Sequence, residues 1–166
     1  MEKIGEIEAP EIFSTKSAVV CDVGGQALLV CAESRSLHVF NAHTGERLVD
    51  PISGQYGIQA VKSYMIRKEA AILTGGWDGT VQFWNPRTWK RFFTIDVDYN
   101  IQDMHIDSDT LLITGDRGVV ALDLNPQLLS LPNDQFKIKA RFTNERSQLT
   151  IPPFLRLGLH YRRHVA

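Results

Sequence analysis

Five histidines, two cysteines and a run of aspartates are the side chains here with the chemistry for metal binding or proton transfer. His160 and His164 stand four apart, the spacing that places two imidazoles on one helix face for a metal ion. No glutamate lies between them and no cysteine is near, so two solvated histidines are the expectation. His38 alternates with Leu37 and Val39 and belongs on the opposite face of a strand from them; His43 falls in a turn and His105 in a strand. Asp96, Asp98, Asp103 and Asp107 crowd one region where paired carboxylates would offer general acid–base chemistry, but a solvated loop accounts for them better. There is no nucleophile elbow, dinucleotide fingerprint or phosphate-binding loop, and Gly24-Gly25 and Gly75-Gly76 read as turn glycines. No catalytic residue, cofactor or metal is therefore expected.

The elements that position these side chains are short strands. At 166 residues the chain is long enough for one domain with a sizeable core, and 43% apolar with 22% charged residues is the composition of a soluble globular protein. A net charge of −1 makes nucleic acid an unlikely partner on global grounds. No apolar run has membrane-spanning length, and the first residues lack a basic start followed by an apolar stretch. Cys21 and Cys31 sit in apolar runs and read as buried free thiols, which suits an intracellular protein of the cytoplasm or nucleus.

A repeat runs through these strands. Residues 73–85 read Leu-Thr-Gly-Gly-Trp-Asp-Gly-Thr-Val-Gln-Phe-Trp-Asn: an apolar strand, a turn at Asp78-Gly79, and an alternating strand ending at Trp84. Residues 29–41 repeat the plan and end at Phe40; residues 111–123 repeat it with one turn residue deleted and end at Leu122. The spacings are 44 and 38 residues. An apolar strand precedes each core, at residues 18–23, 58–65 and 101–106, and residues 46–49 and 90–95 supply fourth strands after the first two. Apolar positions recur every two residues and turns break each run, which excludes helices.

Residues 73–85 closely resemble the core of a WD40 repeat, the blade of a β-propeller. The resemblance implies an all-β fold of four-stranded antiparallel blades. It also implies a buried set joining a Ser/Thr of the second strand, the turn Asp, the Trp of the third strand and a His of the loop before the first strand. Unit two matches with Thr74, Asp78 and Trp84, and Gln55 stands where the His would be. Unit three offers Thr114 and Asp116 but has Leu122 for the Trp; Asp116 is expected to bond backbone amides or lie partly exposed. Unit one keeps only Phe40, with Val30 and Ser34 at the polar positions. The resemblance covers residues 14 to about 125, and residues 14–135 are assigned to three blades.

Three blades do not close a ring, since propellers have four to eight. Residues 1–13 are assigned to a strand or arm of a neighbouring blade, and residues 136–166 to a basic extension with one or two further strands, giving an incomplete ring of three to four blades. A partner protein, a second copy of the chain or a longer propeller would complete it. Residues 1–11 balance to −3 and residues 137–166 to +6. Within the latter, Phe154, Arg156, Tyr161, Arg162 and Arg163 mix aromatic and basic character for docking on the chain itself or on another protein.

The expected function is a non-catalytic protein–protein interaction scaffold or adaptor within a multi-protein complex or homo-oligomer. Its contact face is expected at Gln55, Tyr56, Trp77, Asp98, Tyr99 and Arg117, on loops where binding residues concentrate. The alternatives are a purely structural subunit of a large assembly and, with less support, a catalytic or ligand-binding propeller.

Overall fold

The computed structural model describes residues 14–66 and 68–124 in full, and the backbone of residues 137–140 and 149–150. The described chain is all-β: it forms thirteen strands and no helix. The first sheet runs in the order β1 (Ser17–Val23), β2 (Gln26–Ala32), β3 (Ser36–Asn41) and β4 (Ile52–Ser53). The second contains β5 (Ile58–Ile66), β6 (Glu69–Gly76), β7 (Thr80–Asn85) and β8 (Lys90–Asp96). The third contains β9 (Ile101–Asp107), β10 (Thr110–Gly115) and β11 (Gly118–Asp123). Neighbouring strands within each are antiparallel, so each sheet is a meander of hairpins, the pattern of a propeller blade. Beyond β8 the second sheet continues into β12 (Lys137–Ala140), which lies parallel to β8, and then β13 (Leu149–Thr150). Residues 1–13, expected to give an arm or strand, lie outside the described residues.

Alternation along each strand creates two cores. Val30, Ala32, Leu37 and Val39 of the first sheet bury against Ile58, Val61, Ile72 and Trp84 of the second. Leu73, Val81, Phe83 and Phe93, on the reverse of the second sheet, bury against Met104, Leu111, Ile113, Val120 and Leu122 of the third. The second sheet is therefore packed on both faces.

Two expectations shift. Residues 46–49 make one isolated bridge, Phe40 to Arg47, and the fourth strand of the first sheet forms later, where Ile52 and Ser53 pair with Leu37 and Ser36. Pro51 has no N–H to give a ladder and holds Asp50 extended, so pairing resumes only after it. The second shift concerns register in the third sheet. Trp84 pairs with Ile72 and Gln82 with Thr74, while Leu122 pairs with Leu111 and Val120 with Ile113. Ile113, not Thr114, thus occupies the position of Thr74, because the shorter turn moves the strand by one residue and turns Thr114 to the other face. In the first sheet Leu29 pairs with Phe40 and Cys31 with His38, so Cys31, not Val30, stands at the position of Thr74, and His38 stands at that of Gln82.

Candidate functional site

The polar centre of the second sheet is a chain of hydrogen bonds. Trp84 Nε1 donates to Thr74 Oγ1 at 2.9 Å, and the Thr74 hydroxyl donates to Gln55 Oε1. Gln55 Nε2 then donates to the Thr80 carbonyl at 2.8 Å and reaches Asp78 Oδ1 at 3.3 Å. Asp78 Oδ1 also accepts from the Thr80 backbone N–H at 3.0 Å and hydroxyl at 2.9 Å, which fixes the turn. Gly79, with φ of 72°, supplies the left-handed residue the turn requires. Thr74 is fully buried and Gln55 and Trp84 nearly so, which makes every bond in the set costly to leave unmade. The set works because an amide, like a neutral imidazole, has one acceptor for Thr74 and a separate donor for Asp78. Unlike imidazole, it does not titrate.

The other sheets lack this set. Phe40 is buried with the Arg47 guanidinium 5.6 Å from its ring centre, and His38 Nε2 lies 3.1 Å from Glu33 Oε2. Thr114 Oγ1 donates to the Asp103 carbonyl at 3.3 Å, and Asp116 is exposed. Its backbone N–H donates to the Asn100 carbonyl at 3.3 Å.

The six residues expected on the contact face divide. Tyr56 and Trp77 are 54% and 49% exposed, and Asp98 and Arg117 are also exposed. Gln55 and Tyr99 are not: both are buried, Gln55 in the hydrogen-bonded set and Tyr99 in the core between the second and third sheets. Tyr99 turns inward because Asp98 takes a positive φ of 61°, its N–H held by Asp96 Oδ1 at 3.1 Å. Its hydroxyl sits 3.4 Å from the Ile113 carbonyl. Tyr99 therefore belongs to stability rather than to contact. Phe154, Arg156, Tyr161, Arg162 and Arg163 lie outside the described residues.

Tyr56 and Trp77 come together from two loops. Their ring centres are 6.5 Å apart with planes at 59°, and the Arg35 guanidinium lies 5.2 Å from the centre of the Tyr56 ring. Arg35 comes from the β2–β3 turn and went unnoticed in the sequence, since only the fold brings that turn beside residue 56. Gly57, with φ of 66°, lets Trp77 lie against the backbone: a Cβ there would stand 2.8 Å from Trp77 Cβ. The Trp77 N–H also donates to the Gly57 carbonyl at 3.0 Å. Two aromatic rings and a cation thus stand on a surface made rigid from beneath by the Gln55 set.

At the opposite end, a cavity of about 410 Å³ opens between the first and second sheets, lined by Cys21, Asp22, Gly24, Lys68, Glu69 and Arg87 among others. Its acids and bases offset one another. Burial pushes the Cys21 thiol above its ordinary pKa, with the Asp22 charge adding to this, and burial alone raises Cys31. Neither is an activated nucleophile. Tyr64 is raised by burial first, then by its hydrogen bond to Asp109 at 2.7 Å and the nearby Asp109 and Asp123 charges, so it stays a donor tying β5 to the β9–β10 turn. Among the described residues no three His, Cys, Asp or Glu converge as a metal-binding group, and no helix is long and apolar enough to cross a membrane.

No family model matches the chain, and no curated protein matches it in sequence. Solved structures match it in fold. It is similar to the computationally designed Ika4 protein, with a TM-score of 0.56 and 16% identity, over 87% of this chain and 88% of that one. It is also similar to a chain of the Chaetomium thermophilum Polycomb Repressive Complex 2 bound to GSK126, with a TM-score of 0.56 and 12% identity over 71% of this chain. A chain of the humanized mutant of that complex bound to the same inhibitor matches with a TM-score of 0.56 and 12% identity over 68%. The chain spans only 30% and 28% of the length of those two. At such identities the likeness is one of fold, and the fold is an all-β, propeller-like array of antiparallel blades.

Proposed function

We propose that this chain is a non-catalytic interaction scaffold, a WD40-type propeller segment that takes a partner protein on the face carrying Tyr56, Trp77 and Arg35. The observation that carries this reading is the half-exposed aromatic pair beside a cation, held on loops of a rigid sheet. Tyr, Trp and Arg are the residue types that dominate interface energetics, and large exposed aromatics are costly for a surface that contacts only water. The WD40 assignment is supported by the Trp84–Thr74–Gln55–Asp78 set, which has the bonding order expected of that repeat with an amide in place of an imidazole. Asp98 and Arg117 are also exposed, and this reading assigns them to the same contact.

The test is affinity capture from the native source, comparing the wild type with a Tyr56→Ala/Trp77→Ala double variant by quantitative mass spectrometry. Both side chains stand half in water, so the thermal midpoint should move by only about 2 °C or less while specific partners are lost. Partners retained by the folded double variant would reject this face. Completion of the ring by another chain is tested separately by light scattering. A particle at the single-chain mass of 18.7 kDa that unfolds in one sharp transition would reject the need for a second copy or partner blade.

A further inference from the structure

The three sheets differ in how their outer edge is closed. In the first, the outer edge of β3 is occupied along its length. Ile52 and Ser53 pair with Leu37 and Ser36, and the Leu48 N–H donates to the Val39 carbonyl at 2.9 Å. In the second, β8 covers β7 and is itself paired with β12. In the third, the order is β9, β10, β11, and β11 has no strand beyond it among the described residues. β11 reads Gly-Val-Val-Ala-Leu-Asp, without the lysine or proline that blunts an open edge. Within it Val119 is 63% exposed.

Register gives the shape of what fits there. Val119, Ala121 and Asp123 hold the positions in β11 that Val81, Phe83 and Asn85 hold in β7. Opposite those three in the second sheet stand Ile95, Phe93 and Lys90 of β8. Val81 and Phe83 are completely buried with that strand beside them, whereas Val119 has no such neighbour. Ala121 is smaller than Phe83, so the position opposite it has room for a large side chain. Asp123 replaces the neutral Asn85, so a basic residue at the position of Lys90 would gain a cross-strand charge pair. Drawn without the one-residue bulge that β8 carries, the complement is an extended segment, antiparallel to β11, with the pattern basic–x–aromatic–x–β-branched. Charge favours another protein over a second copy as its source. Residues 101–123 hold five aspartates and one arginine, a balance of −4, so two such edges would set acidic sheets side by side, while a basic strand meets opposite charge.

We infer that the outer edge of β11 takes a donated strand from a partner protein, an extended segment with a basic residue opposite Asp123 and large apolar residues opposite Ala121 and Val119. The backbone ladder supplies the affinity, and the alternate side chains supply the choice of partner. The donated strand gives the third sheet the fourth member that β8 is to the second. This edge does not depend on partner capture at Tyr56 and Trp77 and stands or falls by its own measurement.

That measurement titrates the full chain into a fluorescein-labelled peptide, Lys-Thr-Phe-Thr-Ile-Thr, and follows polarisation. Saturable binding is expected, on the order of tenfold tighter than that of a peptide of the same composition with its alternation broken, Lys-Phe-Thr-Thr-Thr-Ile. Asp123→Lys should weaken binding about three- to tenfold, and exchanging the peptide's lysine for glutamate should restore it to that variant, a rescue that a misfolded sheet would not show. Methylating one alternate set of the peptide's amide nitrogens should abolish binding to the wild type, and methylating the other set should leave it, because only one set faces the ladder. Absence of saturable binding, equal binding of the two peptides, or indifference to the charge exchange or to the choice of methylated set would overturn the inference. Light scattering at twice the 18.7 kDa chain mass with no peptide bound would assign the edge to a second copy and overturn it too.

Discussion

Replacing Gln55 by glutamate exchanges one N–H₂ group for an oxygen in a side chain of the same shape, which makes it a sharp probe of the buried set. Oε1 still accepts from Thr74, but the atom that donated to the Thr80 carbonyl at 2.8 Å and faced Asp78 Oδ1 at 3.3 Å becomes an acceptor among acceptors. Losing that bond and leaving its partner unsatisfied costs about 1–3 kcal/mol. Repulsion from Asp78, which opens to solvent, adds about 1–4 kcal/mol. The expected deficit at pH 7.5 is therefore about 2–7 kcal/mol. Burial and the Asp78 carboxylate both favour the protonated form of the introduced carboxyl, so its folded-state pKa is raised above the unfolded value of about 4.3. A raised folded pKa means the protonated form's contribution is fully present below about pH 4.3 and is lost as pH climbs through the folded value. The protonated acid can donate to Thr80, so the deficit should shrink to about 1 kcal/mol near pH 4.5. The assay is urea unfolding followed by tryptophan fluorescence, variant against wild type at each pH, so that the other carboxylates cancel. A deficit equal at both pH values, or one below about 0.5 kcal/mol at pH 7.5, would refute the assignment of donor and acceptor in this set.

Other outcomes follow from the same structure. Trp84→Phe removes the Nε1–H bond to Thr74 and part of a buried ring, and should cost about 1–3 kcal/mol in the same unfolding assay. Tyr99→Ala should cost about 3–5 kcal/mol, whereas Tyr56→Ala should stay within about 0.5 kcal/mol, which separates the buried tyrosine from the exposed one. Gly57→Ala places a Cβ 2.8 Å from Trp77 Cβ at a φ of 66° and should lower stability by about 1–3 kcal/mol while displacing the Trp77 ring, visible as a change in its fluorescence. Cys21 and Cys31, buried and raised in pKa, should react with an aromatic disulfide reagent at pH 7.5 at least about a hundredfold more slowly in the folded chain than in urea; equal rates would show that the first sheet opens freely.

The architecture was readable because its signals are local. Alternation identifies strands, Asp78-Gly79 identifies a turn whose geometry depends on four residues, and an aromatic recurring after 44 residues marks the repeat. Gln55 was found by its place in a loop, and the bonds it makes are those its two amide atoms permit. What stayed hidden depends on register and on loop direction. A single residue fewer in the third turn exchanges Thr114 for Ile113 at the inward position, and sequence spacing alone does not say which side of the turn absorbs the deletion. Tyr99 looked like a surface residue because its neighbours Asp98 and Asn100 are polar, yet one left-handed residue reverses its direction. Arg35 carried no signal of its own, because its partner Tyr56 comes from another sheet.

The double-sided burial of the second sheet also orders events during synthesis. The first sheet is complete at Ser53, but the residues that cover Val30, Leu37 and Val39 include Ile72 and Trp84, which leave the ribosome later. Thirty-one residues separate Ser53 from Trp84, roughly 2–6 s at ordinary elongation rates. For that interval the nascent first sheet carries a bare aliphatic face and an open strand edge, the surfaces that holdase chaperones recognise and that mispair between neighbouring ribosomes. Slowing elongation between codons 53 and 84 should therefore harm the yield of folded protein more than an equal delay after codon 124, by which point the strands of both cores have been made.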